Sequence, residues 1–99
     1  MQFIVTGYDG TDDKALDRRM AAREAHLAIA GEMHNAGRWL YAAAILDKKG
    51  TMAGSMIVCE FDSRDALEEE WLDREPYVLG KVWEKIEITG AKVASFWEK

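Results

Sequence analysis

Four short β-rich segments and two helical ones follow one another in the order β-α-β-β-α-β, which leaves few ways to fold 99 residues. The predicted strands lie at 2–8, 38–46, 54–61 and 82–89, and the predicted helices at 12–35 and 64–72. This order is typical of the ferredoxin-like α+β arrangement, a four-stranded antiparallel sheet with two helices on one face. We expect one domain over 1–99, with its core in about 1–90 and a tail at 91–99.

Capping residues set the predicted ends of the helices. Thr11 or Asp12 is expected to cap the first helix, and Gly37, which tolerates positive φ, is expected to follow its last turn. Asp62 or Ser63 is expected to cap the second helix.

Apolar residues predict which side of the first helix is buried. Leu16, Met20 and Leu27 share one side of the helix, with Ala30 and Met33 nearby. This side is expected to pack on the sheet.

The first three strands are apolar on both of their faces. In the first strand, for example, Ile4 on one face alternates with Phe3 and Val5 on the other. A strand with one face in water alternates apolar and polar residues instead. Since two helices cover only one face of the sheet, the pattern predicts a homodimer in which a second copy covers the helix-free face.

Composition excludes several classes of function. The net charge is −5 and no dense Lys/Arg block is present, so nucleic acid is not an expected partner. No leader or 18-residue apolar span appears, so we expect a soluble cytoplasmic protein without a membrane partner. The single cysteine, Cys59, is expected to be a buried small apolar residue. The glycines lack a phosphate-binding spacing, and no cofactor is expected.

The first helix carries the spacing Arg19-x3-Arg23-x2-His26-Leu27. At 100° per residue, the two arginines and the histidine lie within about 60° of one another. Such a stripe is suited to hold an anionic small molecule in Arg19 and Arg23 while His26 transfers a proton. Two alternatives stay open: a histidine that only packs, and arginines paired at the surface with Asp12, Asp13 or Glu24.

A second cluster follows the second helix. Glu75 stands immediately before Pro76, which places it in extended backbone, and Tyr77 follows. From a turn, its carboxylate could accept the ring N–H of His26. The alternative is an exposed glutamate in a loop that ends a helix.

Other candidate residues indicate structure. His34 belongs to the last turn of the first helix, and its spacing from His26 does not match a metal motif, so no metal is expected. The four tryptophans are expected to be core and dimer-contact residues, of which one or two line a pocket.

Together these residues resemble the YCII-related (YciI-like) family of the dimeric α+β barrel superfamily. The resemblance covers the chain to about residue 90. It is carried by the N-terminal strand, the Arg19–Leu27 pattern, Gly37-Arg38, Gly54, and Glu-Pro-Tyr at 75–77 followed by Gly80.

The resemblance implies a protomer whose dimer closes two sheets into a barrel, with a cleft beside the helix. The family's proposed active-site pair is a histidine and the aspartate of an Asp-Pro-aromatic motif, which match His26 and Glu75. A characterised relative is a dehydrochlorinase that acts on a hydroxylated chloroaromatic ring. The resemblance therefore favours His26, Glu75 and Asp73 as candidate catalytic residues, with Arg19, Arg23 and Tyr77 binding the substrate.

The chain departs from the family pattern at two places. Glu75 replaces the aspartate and is one methylene longer, so Asp73, two residues earlier, is the alternative partner of His26. Ala43-Ala44 stands where relatives often have Gly-Pro in the second strand, so a different pocket shape is expected.

Three functions remain compatible with the sequence. The first is an enzyme that catalyses elimination, isomerisation or hydrolysis of a small anionic or hydroxylated cyclic compound by acid–base chemistry. The second is a non-catalytic dimeric module that binds such a ligand, and the third is a structural dimer whose histidine only packs.

Overall fold

A computed structural model describes residues 1–97 and shows four strands and three α-helices within them. The strands are β1 (Gln2–Asp9), β2 (Trp39–Leu46), β3 (Met52–Glu60) and β4 (Trp83–Ala91), and the helices are α1 (Ala15–Asn35), α2 (Arg64–Glu70) and α3 (Pro76–Leu79). Short 3₁₀ turns lie at Leu72–Arg74 and Ser95–Trp97. The last two residues of the predicted tail lie outside the described residues.

The four strands form one antiparallel sheet in the order β2-β3-β1-β4. Residues directly opposite each other on paired strands share a face. Val5 on the central strand β1 faces Ile57 on one side and Ile88 on the other. The predicted ferredoxin-like α+β fold of the protomer is confirmed.

The ends of the helices agree in part with the predicted caps. Ser63 caps α2, because its Oγ accepts the backbone N–H of Ala66 at 3.0 Å, and Gly37 follows α1 with a φ of 74°. The predicted cap of the first helix is wrong. The helix begins at Ala15, its N-cap is Lys14, and no side-chain hydrogen bond closes it. Asp12 instead makes an ion pair with Arg18, which competes for its carboxylate.

The predicted buried side of α1 is wrong for Leu16, Met20 and Leu27, whereas Met33 is buried and Ala30 packs against the core as expected. Leu16, Met20 and Leu27 are 41%, 51% and 48% exposed. The helix instead buries a side centred about 100° around the helix axis from these three residues, at 100° per residue. Its buried residues are Ala15, Arg19, His26 and Met33. Polar side chains occupy this side because each finds a buried partner, as described below.

The core lies between the sheet and the helices, and it is rich in aromatic residues. Trp39, Trp71 and Trp83 are all buried, and Trp83 packs so closely across Gly7 that a Cβ there would lie 2.3 Å from the indole ring. Cys59 is fully buried, which raises the pKa of its thiol to about 12 and agrees with its predicted packing role. Within residues 1–97 no helix is both long enough and apolar enough to cross a membrane.

Candidate active site

A cleft of about 330 Å³ opens between α1 and the edge strand β2. Its floor includes Ala42 and Ala44, which lie opposite Ile57 and Ser55 of β3 and therefore point to the helix side of the sheet. Both alanines are exposed in the protomer. Their small side chains, on a strand that the helices leave uncovered, create the space.

His26 of α1 forms part of the cleft wall, and Glu75 lies behind it. The Nδ1 atom of His26 lies 2.8 Å from Oε2 of Glu75. Glu75 has no exposed surface, and 9% of His26 is exposed. The extra methylene of glutamate therefore brings the carboxylate to the imidazole and does not carry it past.

The loop after α2 explains how Glu75 reaches this position. Trp71 leaves helical geometry with φ −129° and ψ −67°, and a 3₁₀ turn over Leu72–Arg74 redirects the chain. Glu75 is extended, with φ −68° and ψ 120°, as expected before a proline. It also caps α3, since its Oε2 accepts the backbone N–H of Tyr77 at 2.8 Å.

The hydrogen bonds of Glu75 determine the tautomer of His26. Besides Tyr77, the indole Nε1–H of Trp71 donates to Oε1 at 3.0 Å. A carboxylate that accepts these bonds also accepts from His26, so the imidazole proton resides on Nδ1. Nε2 makes no hydrogen bond within residues 1–97, and its lone pair is left for a molecule in the cleft.

Tyr77 stacks on the imidazole of His26 and fixes the orientation of its ring. The two rings stack with their centroids 3.9 Å apart and an angle of 10° between their planes. Burial raises the pKa of the Tyr77 phenol, although Arg19 and Arg23 nearby partly offset this effect. The phenol is therefore neutral at physiological pH.

Arg19 lines the cleft, but its charge is already paired. Its Nη1 donates to both oxygens of Asp9, at 2.9 and 3.1 Å, and its Nη2 donates to Ser55 Oγ at 2.8 Å. Both side chains of the ion pair are 3% exposed. The Arg19 guanidinium also lies over the Tyr77 ring, 4.7 Å from its centroid. Its contacts thus connect the end of β1 to the residue that stacks on His26.

Arg23 lines the same cleft and is exposed. It makes no ion pair with any residue in 1–97. Of the two arginines predicted to bind an anion, it is the one whose charge is available to a ligand. The predicted surface pairing of Arg19 or Arg23 with Asp12, Asp13 or Glu24 does not occur in the described part of the chain.

The remaining candidate carboxylate lies elsewhere. Asp73 is exposed in the 3₁₀ turn, which directs it to solvent, and the carboxylate that contacts His26 is that of Glu75. The roles of Asp9, Ser55 and Trp71 in the site were missed by the sequence analysis. One signal was present, since Trp71 lies four residues before Glu75, which is one helical turn.

Comparison with known proteins identifies the family of this chain. The YCII-related domain matches residues 1–92. The chain belongs to the YCII-related family. Protein YciI of Escherichia coli O6:H1 is 32% identical over 94 residues, which cover 89% of this chain and 93% of that protein, and protein YciI of Shigella flexneri matches to the same extent.

The fold of this YCII-related protein is also found in a solved structure. The 5-chloro-2-hydroxyhydroquinone dehydrochlorinase TftG from Burkholderia phenoliruptrix, in complex with 2,5-dihydroxybenzoquinone, superposes with a TM-score of 0.80. The two chains are 18% identical, and the match covers 97% of this chain and 98% of TftG. At that identity the similarity shows a shared fold.

Proposed function

We propose that this protein is an enzyme in which His26 acts as general base and acid on a small anionic or hydroxylated cyclic compound. The observation that carries the proposal is the 2.8 Å contact between Nδ1 of His26 and a fully buried carboxylate, with Nε2 unpaired at a cleft. Glu75 holds the imidazole in the tautomer that accepts a proton at Nε2, the arrangement used by hydrolase triads.

The first step of the proposed reaction is a proton transfer. Nε2 of His26 removes a proton from a hydroxyl or C–H group of the ligand, and the pair Glu75 and Tyr77 stabilises the imidazolium that forms. In an elimination, the electron pair that the proton leaves behind forms a new π bond. The bond to the leaving group breaks, and the leaving group departs with both electrons of that bond. The similarity to TftG favours elimination among the three reaction classes.

The lining of the cleft supports the proposed class of ligand. Arg23 supplies one unpaired positive charge at the rim, and Leu27, Ile57 and the strand alanines supply apolar walls. A volume of about 330 Å³ is at the small end of ligand pockets. A single substituted ring with one anionic oxygen suits the positive charge of Arg23, the apolar lining and the volume of the cleft.

Turnover of a defined panel tests the proposal. The protein is incubated with chlorinated dihydroxybenzenes and with enol lactones, and chloride release and ultraviolet absorbance are followed. We expect turnover of at least one compound. Calorimetric binding without turnover would support the non-catalytic module instead, and neither binding nor turnover across the panel would contradict both functions.

Arg23→Ala is expected to weaken binding of an anionic ligand by about fivefold to tenfold, the effect of one charge-assisted contact at a partly open site. The measurement is calorimetric titration with a substituted phenolate at low salt. Arg64→Ala is the matched control, because Arg64 is also exposed and does not line the cleft. An equal loss in both variants would mean that only the net charge of the protein matters.

We also infer that the protein is a homodimer through its helix-free sheet face. On this face the register aligns Ile4 with Val58, and Tyr41 lies opposite Val58 from the other side. Ile4 is 37% exposed and Tyr41 67% exposed. Apolar side chains on three neighbouring strands with no helix over them favour a second copy of the same surface.

The tail supports this interface. Val93 is tied to β1, since its backbone N–H donates to Gln2 Oε1 at 2.6 Å. The tail and the helix-free face enclose a groove of about 990 Å³, lined by Ile4 and Val58 on the sheet and by Trp97 on the tail. Phe96 and Trp97 are 78% and 69% exposed, so the tail adds aromatic surface at the rim of the proposed contact.

Ile4→Lys is expected to convert the dimer into monomers, because it places an unpaired charge at the centre of the contact. Light scattering after size exclusion should give twice the 11.2 kDa mass for the wild-type protein and a single protomer mass for the variant. Leu16→Lys is the control, since Leu16 is similarly exposed but lies on α1. A wild-type protein with the mass of one protomer would contradict the inference.

A further inference from the structure

Trp71 has a hydrogen bond that distinguishes it from the other buried tryptophans. The indole N–H groups of Trp39 and Trp83 are buried without a partner, whereas that of Trp71 donates to Glu75. Trp71 has no exposed surface. A buried indole donor aimed at the carboxylate behind His26 can do more than fill the core.

Packing fixes the direction of this donor. The Trp71 ring meets Trp39 edge-on, with centroids 4.9 Å apart and planes at 77°, and meets Trp83 edge-on at 6.4 Å and 84°. Phe61 lies parallel to it at 6.3 Å. Rings held on several sides cannot turn without displacing the core, so the N–H stays aimed at Glu75.

The carboxylate of Glu75 needs such an anchor. A glutamate side chain has three rotatable bonds, and its two oxygens exchange places by rotation about the last one. Oε2 accepts from His26 and from the Tyr77 backbone, whereas Trp71 is the donor to Oε1. The Trp71 contact therefore holds the oxygen that His26 and Tyr77 leave free, and it opposes rotation of the carboxylate away from the imidazole.

We propose that Trp71 is a positioning residue, which holds the Glu75 carboxylate so that His26 keeps its proton on Nδ1 and its lone pair on Nε2. The acid–base role of this lone pair rests on the proposed function. The positioning itself concerns only the protein and is measured without a substrate.

Trp71→Phe tests the role, because it keeps an aromatic ring and removes the donor. Long-range ¹H–¹⁵N spectra of the imidazole report the tautomer directly. We expect the ratio of the Nδ1–H to the Nε2–H form of His26 to fall by about tenfold, as one charge-assisted hydrogen bond is lost. A folded Trp71→Phe protein with the wild-type tautomer ratio would overturn the proposal.

Trp83→Phe is the matched control. Trp83 is also buried, its centroid lies 6.4 Å from that of His26, and its indole N–H has no partner to lose. The tautomer ratio in this variant should equal that of the wild-type protein. An equal shift in the two variants would show that packing alone sets the tautomer, and it would also overturn the proposal.

A wild-type measurement covers the case in which Trp71→Phe does not fold. The indole proton of Trp71 should resonate downfield of those of Trp39 and Trp83, since only it is bonded to a carboxylate. A Trp71 resonance at the position of the other two would refute the hydrogen bond. If the tautomer responds to Trp71→Phe but no compound is turned over, the positioning holds and the proposed function fails.

Discussion

Glu75→Gln is expected to lower kcat/KM by about 10²–10⁴-fold for any compound that the proposed enzyme turns over. The carboxylate accepts hydrogen bonds on both oxygens, from Trp71 on one and from His26 and Tyr77 on the other. An amide has only one acceptor oxygen, so at least one of these donors would face an NH₂ group. Steady-state kinetics with the compound identified from the panel gives the measurement.

Asp73→Asn makes the same change from carboxylate to amide two residues earlier. Asp73 is exposed and does not contact His26, so the kinetics of this variant should match those of the wild-type protein. A loss as large as that of Glu75→Gln would show that Glu75 is not the specific partner of His26. His26→Ala should lose at least as much as Glu75→Gln, and the double variant should lose no more than His26→Ala, because residues that act as a unit are not additive.

Arg19→Met is expected to destabilise the folded protein by about 3–5 kcal/mol at neutral pH, because it leaves the buried Asp9 carboxylate without its counter-ion. Urea unfolding followed by tryptophan fluorescence measures the free energy. Arg18→Met is the control, at the preceding residue. Arg18 pairs with Asp12 through side chains that are 32% and 52% exposed, and water screens such a pair, so its loss should matter much less.

The deficit of Arg19→Met should depend on pH in a defined direction. Burial raises the pKa of Asp9 above its ordinary value, and Arg19 partly offsets the effect. A carboxyl group with a raised pKa in the folded state favours folding when protonated, and this contribution is lost as pH rises through the raised value. Without Arg19 the pKa rises further, so the deficit should shrink between neutral and mildly acidic pH. A deficit that is constant over this range would contradict the role assigned to Asp9.

The contact between His26 and Glu75 was expected mainly from the family resemblance, and two local features of the sequence agree with it. Proline fixes the extended backbone of Glu75, and the helical spacing puts Arg19, Arg23 and His26 on one stripe. The order of the elements also predicted the four-stranded sheet correctly. The extended backbone before proline, the helical spacing and the element order depend on local rules, which act over a few residues and are visible in a single chain.

The orientation of α1 on the sheet could not be predicted from the sequence. Hydrophobic periodicity favoured Leu16, Met20 and Leu27 as the buried side, but burial went to Arg19 and His26. The desolvation of Arg19 is offset by Asp9, which lies on another element, and no local pattern in the sequence indicates that pairing. The single domain, the cytoplasmic location and the roles assigned to the site residues stay predictions.

The alanines in the floor of the cleft have a consequence for how such a protein changes over time. Ala42 and Ala44 lie on an outer strand, exposed, where a larger side chain would project into ligand space and not into the aromatic core. Evolution can therefore reshape what fits beside the imidazole by exchanging methyl groups for longer ones, at little risk to folding. If the proposed function holds, the acid–base residues and these selectivity-determining alanines lie on separate elements of the scaffold, so new specificities can arise while the pair His26 and Glu75 is inherited intact.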